Sequence, residues 1–233
     1  MSERVELPGA LRRAVAADIE PVKPLPPLWV RVLWAAPLAA VMAVGTLVYF
    51  GLRSDLQGDV VAMLWLPMVL QITLGLAVLA IALQETVPGM RVAKPVVYGV
   101  CVSALALHLA VNIIMWLRDP LGYEDFLVSW WGCLRYEILL GVPFLAIVTY
   151  MAGRALPIRP QYVGLLAGFG GGVIADASWR MVCPVSVPMH FLTAHLGGVL
   201  ILGATGYLFG TFLERTRPAL SPKLNPDFVQ RSR

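Results

Sequence analysis

The sequence predicts an all-α integral membrane protein: a bundle of six transmembrane helices, preceded by a short amphipathic helix on the cytoplasmic side. Three observations carry this expectation. Hydrophobic residues make up 58% of the chain and charged residues only 14%, with a mean hydropathy of +0.75. A soluble domain carries about 25% charged residues, and a chain this poor in charge cannot coat a water-facing surface. The apolar residues also gather into six continuous runs, each close to the roughly 20 residues that cross a hydrocarbon core as a helix. Finally, the basic residues divide very unevenly between the two ends of those runs.

The first element in order is residues 1–28. Leu7, Leu11, Val15 and Ile19 recur every four residues, with Arg12, Arg13, Asp18 and Glu20 around them. That step drifts slowly around a helix, so the four form one apolar stripe. Pro8 is tolerated in a first turn and Pro21 stops the helix, after which Pro24, Pro26 and Pro27 make a stiff connector into the first span. A short helix is marginal alone in water. Its stripe therefore calls for a cover, either a groove on a protein partner or the bilayer interface.

The six runs follow at 32–52, 60–83, 95–117, 127–153, 161–180 and 189–213. They are continuous rather than alternating, which selects helices over a β-barrel. The first begins after a charged segment and exceeds the roughly 7–15 residues of a signal-peptide core, so it is expected to span rather than to be cleaved. The second run contains Gln71 as its one strongly polar residue; the fourth holds Arg135 and Glu137, and the fifth Asp176. Residues 29–213 thus make a six-helix membrane domain with short loops. Residues 214–233, with Pro218, Pro222 and Pro226, read as a cytoplasmic tail expected to be disordered.

Orientation follows from the Lys and Arg residues, 18 in all, of which only Arg53, Arg118, Arg135 and Arg180 fall on one side. The positive-inside rule then puts both termini in the cytoplasm. Trp29 and Trp34 lie at the inner interface and Trp116, Trp130, Trp131 and Trp179 near the outer one, where amphipathic rings settle. The isoelectric point near 9.1 has the same origin. Direct nucleic-acid binding is not expected, because no basic cluster alternates with aromatics as a stacking groove requires.

Glycines at 164, 168 and 172 in the fifth run and at 206 and 210 in the sixth are spaced for close helix approach. Packing within the chain is the expectation, ahead of a dimer seam or ligand gap. Three cysteines are too few for a disulfide framework and lack zinc-finger spacing. Cys101 falls inside the third run as a packing residue, whereas Cys133 and Cys183 both face the outer side, where a bacterial periplasm favours disulfides. The pair is either a static staple or a redox or thiophilic-metal switch, and bridging needs their Cα atoms within about 7 Å. His190 and His195 open the sixth run, so the cysteines and one histidine make a conceivable soft-metal set. At 3.6 residues per turn, however, an i, i+5 pair stands about 140° apart. The two histidines are therefore not expected to serve one site, and no metal is expected. His108 and Asn112 are expected to hydrogen-bond between helices, and Arg135, Glu137, Asp176 and Arg180 to pair structurally rather than to carry protons or ions.

The run Asp18-Ile-Glu-Pro-Val-Lys-Pro-Leu-Pro-Pro27, then Arg53-Ser-Asp-Leu, Val87-Pro-Gly, Leu117-Arg-Asp, Trp131-Gly-Cys-Leu and Cys183-Pro together resemble the NrsF-type anti-sigma factors. The likeness runs from about Asp18 to Leu213. It implies a six-span protein of the bacterial inner membrane that sequesters an extracytoplasmic-function sigma factor through its N-terminal segment. It also implies that the outward cysteines, here Cys133 and Cys183, sense oxidant or heavy-metal stress and trigger release. The segment up to Asp18 matches the sigma-binding region; Leu7, Leu11, Val15 and Ile19 as its contact face come from periodicity. Some relatives carry histidine just before the second cysteine, where this chain has Val182, which weakens a metal-ligand version. The protein is then a regulator rather than an enzyme, with no cofactor. A small six-span transporter or channel component is the alternative, though it would call for polar residues aligned through several spans. A membrane thiol oxidoreductase would call for Cys-x-x-Cys, which does not occur.

Overall fold

The computed structural model describes residues 9, 13, 25–53, 61–118, 126–155, 157–183, 185 and 187–216. Among them the fold is helical throughout: α1 (Leu28–Phe50), α2 (Val61–Glu85), α3 (Lys94–Arg118), α4 (Phe126–Ala155), α5 (Pro160–Arg180) and α6. The last runs from Pro188 to Thr216, with a π-helical turn at Phe191–His195. The stripe Leu7, Leu11, Val15, Ile19, with Asp18, lies outside the described residues, as does the tail from 217 onward.

Five of the six helices are long and apolar enough to cross a membrane: Leu28–Phe50, Trp65–Glu85, Lys94–Ile114, Trp130–Ala155 and Pro188–Thr216. Pro37, Pro67 and Pro143 sit inside such helices, tolerated because neighbouring groups in a bundle re-satisfy the freed carbonyls. Helix α5 is the exception in composition and has the central place. It packs most extensively on α6, then on α2 and α4, and every residue from Gly170 to Arg180 is buried. A helix wrapped by its neighbours meets protein rather than lipid, so its glycines, Asp176 and Arg180 carry no lipid-exposure cost.

The polarity of the bundle is inverted relative to a water-soluble domain. Trp29, Val41, Val48, Leu66, Val102, Leu139, Leu208 and Phe212 are exposed, while Gln71, His108, Asn112, Glu137, Asp176 and His195 are buried. That is the arrangement lipid selects. The glycine ridges of α5 and α6 meet as expected for internal packing. A Cβ on Gly164 would collide with the Gly206 carbonyl, one on Gly168 with that of Leu202, and one on Gly172 would stand 2.8 Å from Val199 Cα.

Helix α1 lies against this centre through a narrow stripe of small side chains, Ala35, Ala39, Ala43 and Thr46, headed by Arg31. Small residues let it approach closely; Leu28, Val32, Leu38, Met42 and Leu47 flank the stripe and pack against the apolar core, and the opposite face is exposed. Each of its ends is fastened by an arginine. At one end Arg31 Nη1 donates to the Leu83 carbonyl (2.7 Å) and to Thr86 Oγ1 (3.0 Å). At the other, the helix stops at Gly51, whose φ of 82° suits glycine, and Arg53 turns back onto the α5–α6 loop. Its backbone N–H donates to the Met181 carbonyl (3.2 Å) and its Nη1 to the Cys183 carbonyl (2.6 Å).

Candidate functional site

Cys133 lies early in α4, and Cys183 sits just past α5, its N–H bonded to the Trp179 carbonyl at 2.9 Å. The stacked rings of Tyr136 and Trp179 (centroids 4.6 Å apart) and Phe50 edge-on to Trp179 (4.9 Å) enclose this end of the bundle. Both cysteines are free thiols and buried, with their Sγ atoms 3.1 Å apart. Two sequence-distant cysteines are thus brought into direct contact. Cys101, half-buried in α3, takes no part in this pair and packs against the main apolar core.

The histidines join them, against the expectation from an ideal helix. The π turn at Phe191–His195 is the reason. Hydrogen bonding from i to i+5 takes about 4.4 residues per turn, so positions five apart return to within about 50° of each other rather than 140°. His190 and His195 accordingly share a face, with ring centroids 5.1 Å apart. His190 Nε2 is 3.4 Å from Cys183 Sγ. One ligand atom from each of Cys133, Cys183, His190 and His195 falls within 4.8 Å of all the others. The hydrogen bond with Cys133 and the contacts from His190 and His195 hold the Cys183 thiol well below its ordinary range, against the opposing effect of burial.

Below the thiols stands a polar hub centred on Asp176, which is fully buried. Its Oδ1 accepts from His195 Nδ1 (2.9 Å) and Arg180 Nη2 (2.8 Å). Its Oδ2 accepts from Gln71 Nε2 (2.5 Å) and His108 Nδ1 (2.7 Å). Arg180 reaches on to Asn112 Oδ1, and Asn112 Nδ2 donates back to the His108 carbonyl at 2.7 Å. One carboxylate thereby joins α2, α3, α5 and α6. A buried charge needs partners of this quality, because an unpaired one carries a prohibitive desolvation cost.

Glu137 is also fully buried, 3.4 Å from His195 Nδ1 at Oε2, in a space that Gly198 leaves open: a Cβ there would come within 2.8 Å of its Cδ. Arg135 goes its own way, exposed, with its guanidinium over the Tyr136 ring at 4.9 Å. Of the four expected intramembrane charges, then, Asp176 and Arg180 pair with each other while Arg135 and Glu137 separate. His108 and Asn112 do bond between helices. Two contributors lay outside the sequence reasoning about the site. Gln71 announced itself only as the lone polar side chain of an apolar run, and Arg53 only as one of the few outward arginines.

The arrangement can join or separate two sulfurs, and two connections lead away from them. The side-chain route runs from Cys183 past His195 to Asp176; the main-chain route runs from the Cys183 carbonyl to Arg53 and α1.

Comparison with known proteins now bears on this geometry. The family described as NrsF, negative regulator of sigma F, matches residues 15–215. A protein of Caulobacter vibrioides (strain NA1000 / CB15N) named anti-sigma-F factor NrsF is 31% identical over 124 residues, 52% of this chain and 55% of that one. The match therefore spans about half the length of that curated relative. No solved structure matches.

Proposed function

The chain belongs to the NrsF family of negative regulators of sigma F, and we propose that it is a membrane-bound anti-sigma factor whose sensor is the Cys133–Cys183 pair. In this reading the segment up to about residue 28 holds an extracytoplasmic-function sigma factor at the inner face of the bacterial cytoplasmic membrane. The stripe Leu7, Leu11, Val15 and Ile19, with Asp18, is its contact face. Oxidant or heavy metal outside alters the thiols and releases the sigma factor inside. The observation that carries the sensing half is the contact of two free thiols, Sγ to Sγ 3.1 Å, brought together from α4 and the α5–α6 loop.

Six crossings, with α5 as the sixth, agree with the uneven Lys and Arg distribution, which supports cytoplasmic termini and an outward thiol pair. Helix α1 is the natural connection, since it continues directly into the N-terminal segment. Arg53 fastens it to the Cys183 carbonyl at one end and Arg31 to α2 at the other. A change at the thiols shifts sigma binding only to the extent that these contacts differ in free energy between the holding and releasing states. The transporter alternative is disfavoured because Gln71, His108, Arg180 and His195 all bond to one carboxylate, Asp176, in a closed structural hub.

The test compares the full chain with one lacking residues 1–25, each affinity-purified from native membranes, with cytosolic partners identified by mass spectrometry. A sigma factor captured by the first and absent from the second is expected; capture that survives the deletion removes the N-terminal segment from the proposal. Replacing both Cys133 and Cys183 by serine should leave capture intact and abolish release under diamide or cadmium. Normal release would end the sensing claim.

A further inference from the structure

We propose that Cys133, Cys183, His190 and His195 form a four-coordinate site for one cation of the Zn²⁺ class, with Asp176 as the carboxylate that orients His195. The binding itself stands on geometry alone; its regulatory consequence rests on reading the cysteines as the sensor. Four ligand atoms of the types that zinc takes lie within 4.8 Å of one another, all on buried residues. Zn–S bonds of about 2.3 Å and Zn–N bonds of about 2.0 Å set tetrahedral ligand separations of roughly 3.3–3.8 Å. The Sγ–Sγ contact of 3.1 Å and the Cys183 Sγ–His190 Nε2 contact of 3.4 Å are within a small side-chain adjustment of those values.

The histidine chemistry fits as well. His195 gives its Nδ1–H to Asp176 Oδ1 at 2.9 Å, which leaves Nε2 with the free lone pair. That Nε2 is buried and makes no hydrogen bond of standard geometry, and His195 lies beside Cys183 with a ligand atom within 4.8 Å of both cysteine sulfurs. Carboxylate, histidine and metal in sequence is the usual outer-shell arrangement of a zinc histidine. The neighbouring trio Glu137, Asp176 and His195 also brings ligand atoms together, but the Asp176 oxygens already accept four donors and suit support rather than ligation. Two thiolates neutralise a divalent cation, so the filled site adds no net charge to the interior. The π turn supplies the remaining support. Such turns are uncommon and recur at functional sites, and here the turn is what puts both imidazoles on one face. Tetrahedral S₂N₂ sites select zinc over hard cations.

The consequence for regulation is that the reduced state is locked by an ion that ties α4, the α5–α6 loop and α6 together. Joining the two sulfurs removes two of its four ligands. An oxidant that accepts two electrons, such as a hydroperoxide reduced to alcohol and water, converts the two thiolates to a disulfide and expels the ion.

The test uses the full chain in detergent, reduced, stripped with a chelator and titrated with Co²⁺. Expected are one Co²⁺ per chain, the visible bands of tetrahedral cobalt, a thiolate-to-cobalt charge-transfer band, and displacement by Zn²⁺. The same protein oxidised with diamide, which takes up the two electrons and two protons, should bind none; this comparison needs no variant. His190→Ala and His195→Ala should each weaken binding at least tenfold. Absence of a tetrahedral spectrum in the reduced chain overturns the proposal, and so does a spectrum that both histidine variants leave unchanged. If the spectrum is missing while the double Cys→Ser chain still fails to release its partner, the metal falls and the sensor stands. If the spectrum is present while that chain releases normally, the site stands and the sensor falls.

Discussion

Replacing Arg53 by alanine removes the donor that holds the Cys183 carbonyl at 2.6 Å, at a side chain that is 5% exposed. A hydrogen bond from a charged group contributes about 1.5–3 kcal/mol, and little water reaches this position to replace it. Taking about 2 kcal/mol, and about 1.4 kcal/mol per factor of ten, the ratio of holding to releasing chains falls about 30-fold if the contact exists only in the holding state. Unstressed cells carrying Arg53→Ala should therefore transcribe a sigma-dependent reporter constitutively, with the protein still present in the membrane by immunoblot. Arg53→Lys keeps the charge but not the guanidinium geometry and should fall between the two. A reporter that stays at its unstressed level, in cells with normal amounts of the Arg53→Ala protein, would refute the reasoning. The Cys183 carbonyl would then carry nothing to α1.

Two further substitutions probe the frame on which that route rests. Asp176→Asn keeps the shape of the hub but leaves the Arg180 guanidinium buried without its carboxylate; breaking a buried pair in this way costs about 3–5 kcal/mol. The thermal midpoint in detergent should fall well below that of the parent, and an unchanged midpoint would show that charge does not hold the hub. Gly206→Leu introduces a side chain where a Cβ already meets the Gly164 carbonyl. It should drive α5 and α6 apart and abolish the monodisperse peak in size-exclusion chromatography, whereas Gly99→Leu, with nothing within 4 Å of its Cβ position, should leave that peak intact.

The bundle was largely readable because lipid imposes one simple requirement, long runs of apolar residues, and 32–52, 60–83, 95–117, 127–153 and 189–213 meet it. The run at 161–180 was visible by length, yet α5 falls short in composition because its neighbours, not lipid, surround it. The glycine spacing pointed to close helix packing within the chain, and the partners it did not name are α5 and α6 themselves. The meeting of His190 with His195 was not readable. Angular arguments assume 3.6 residues per turn, and nothing in Phe191-Leu-Thr-Ala-His195 marks a π turn. Nor does sequence convey that Arg53 folds back across 130 positions to Cys183.

The two routes out of the thiol site differ in what they can do. The side-chain route ends on a carboxylate with four donors from α2, α3, α5 and α6. Moving any one of them uncovers a buried charge, so this route resists displacement and behaves as a fulcrum. The main-chain route ends on α1, which meets the bundle through Ala35, Ala39, Ala43 and Thr46, flanked by Leu28, Val32, Leu38, Met42 and Leu47, while Trp29, Leu33, Trp34, Val41, Val44 and Val48 are exposed. A shift of about 2 kcal/mol at Arg53 therefore acts on α1 at the end that lies against the α5–α6 loop. On the proposed reading, sigma binding is coupled to the thiols through Arg53 and α1, while the Asp176 hub ties α2, α3, α5 and α6 together.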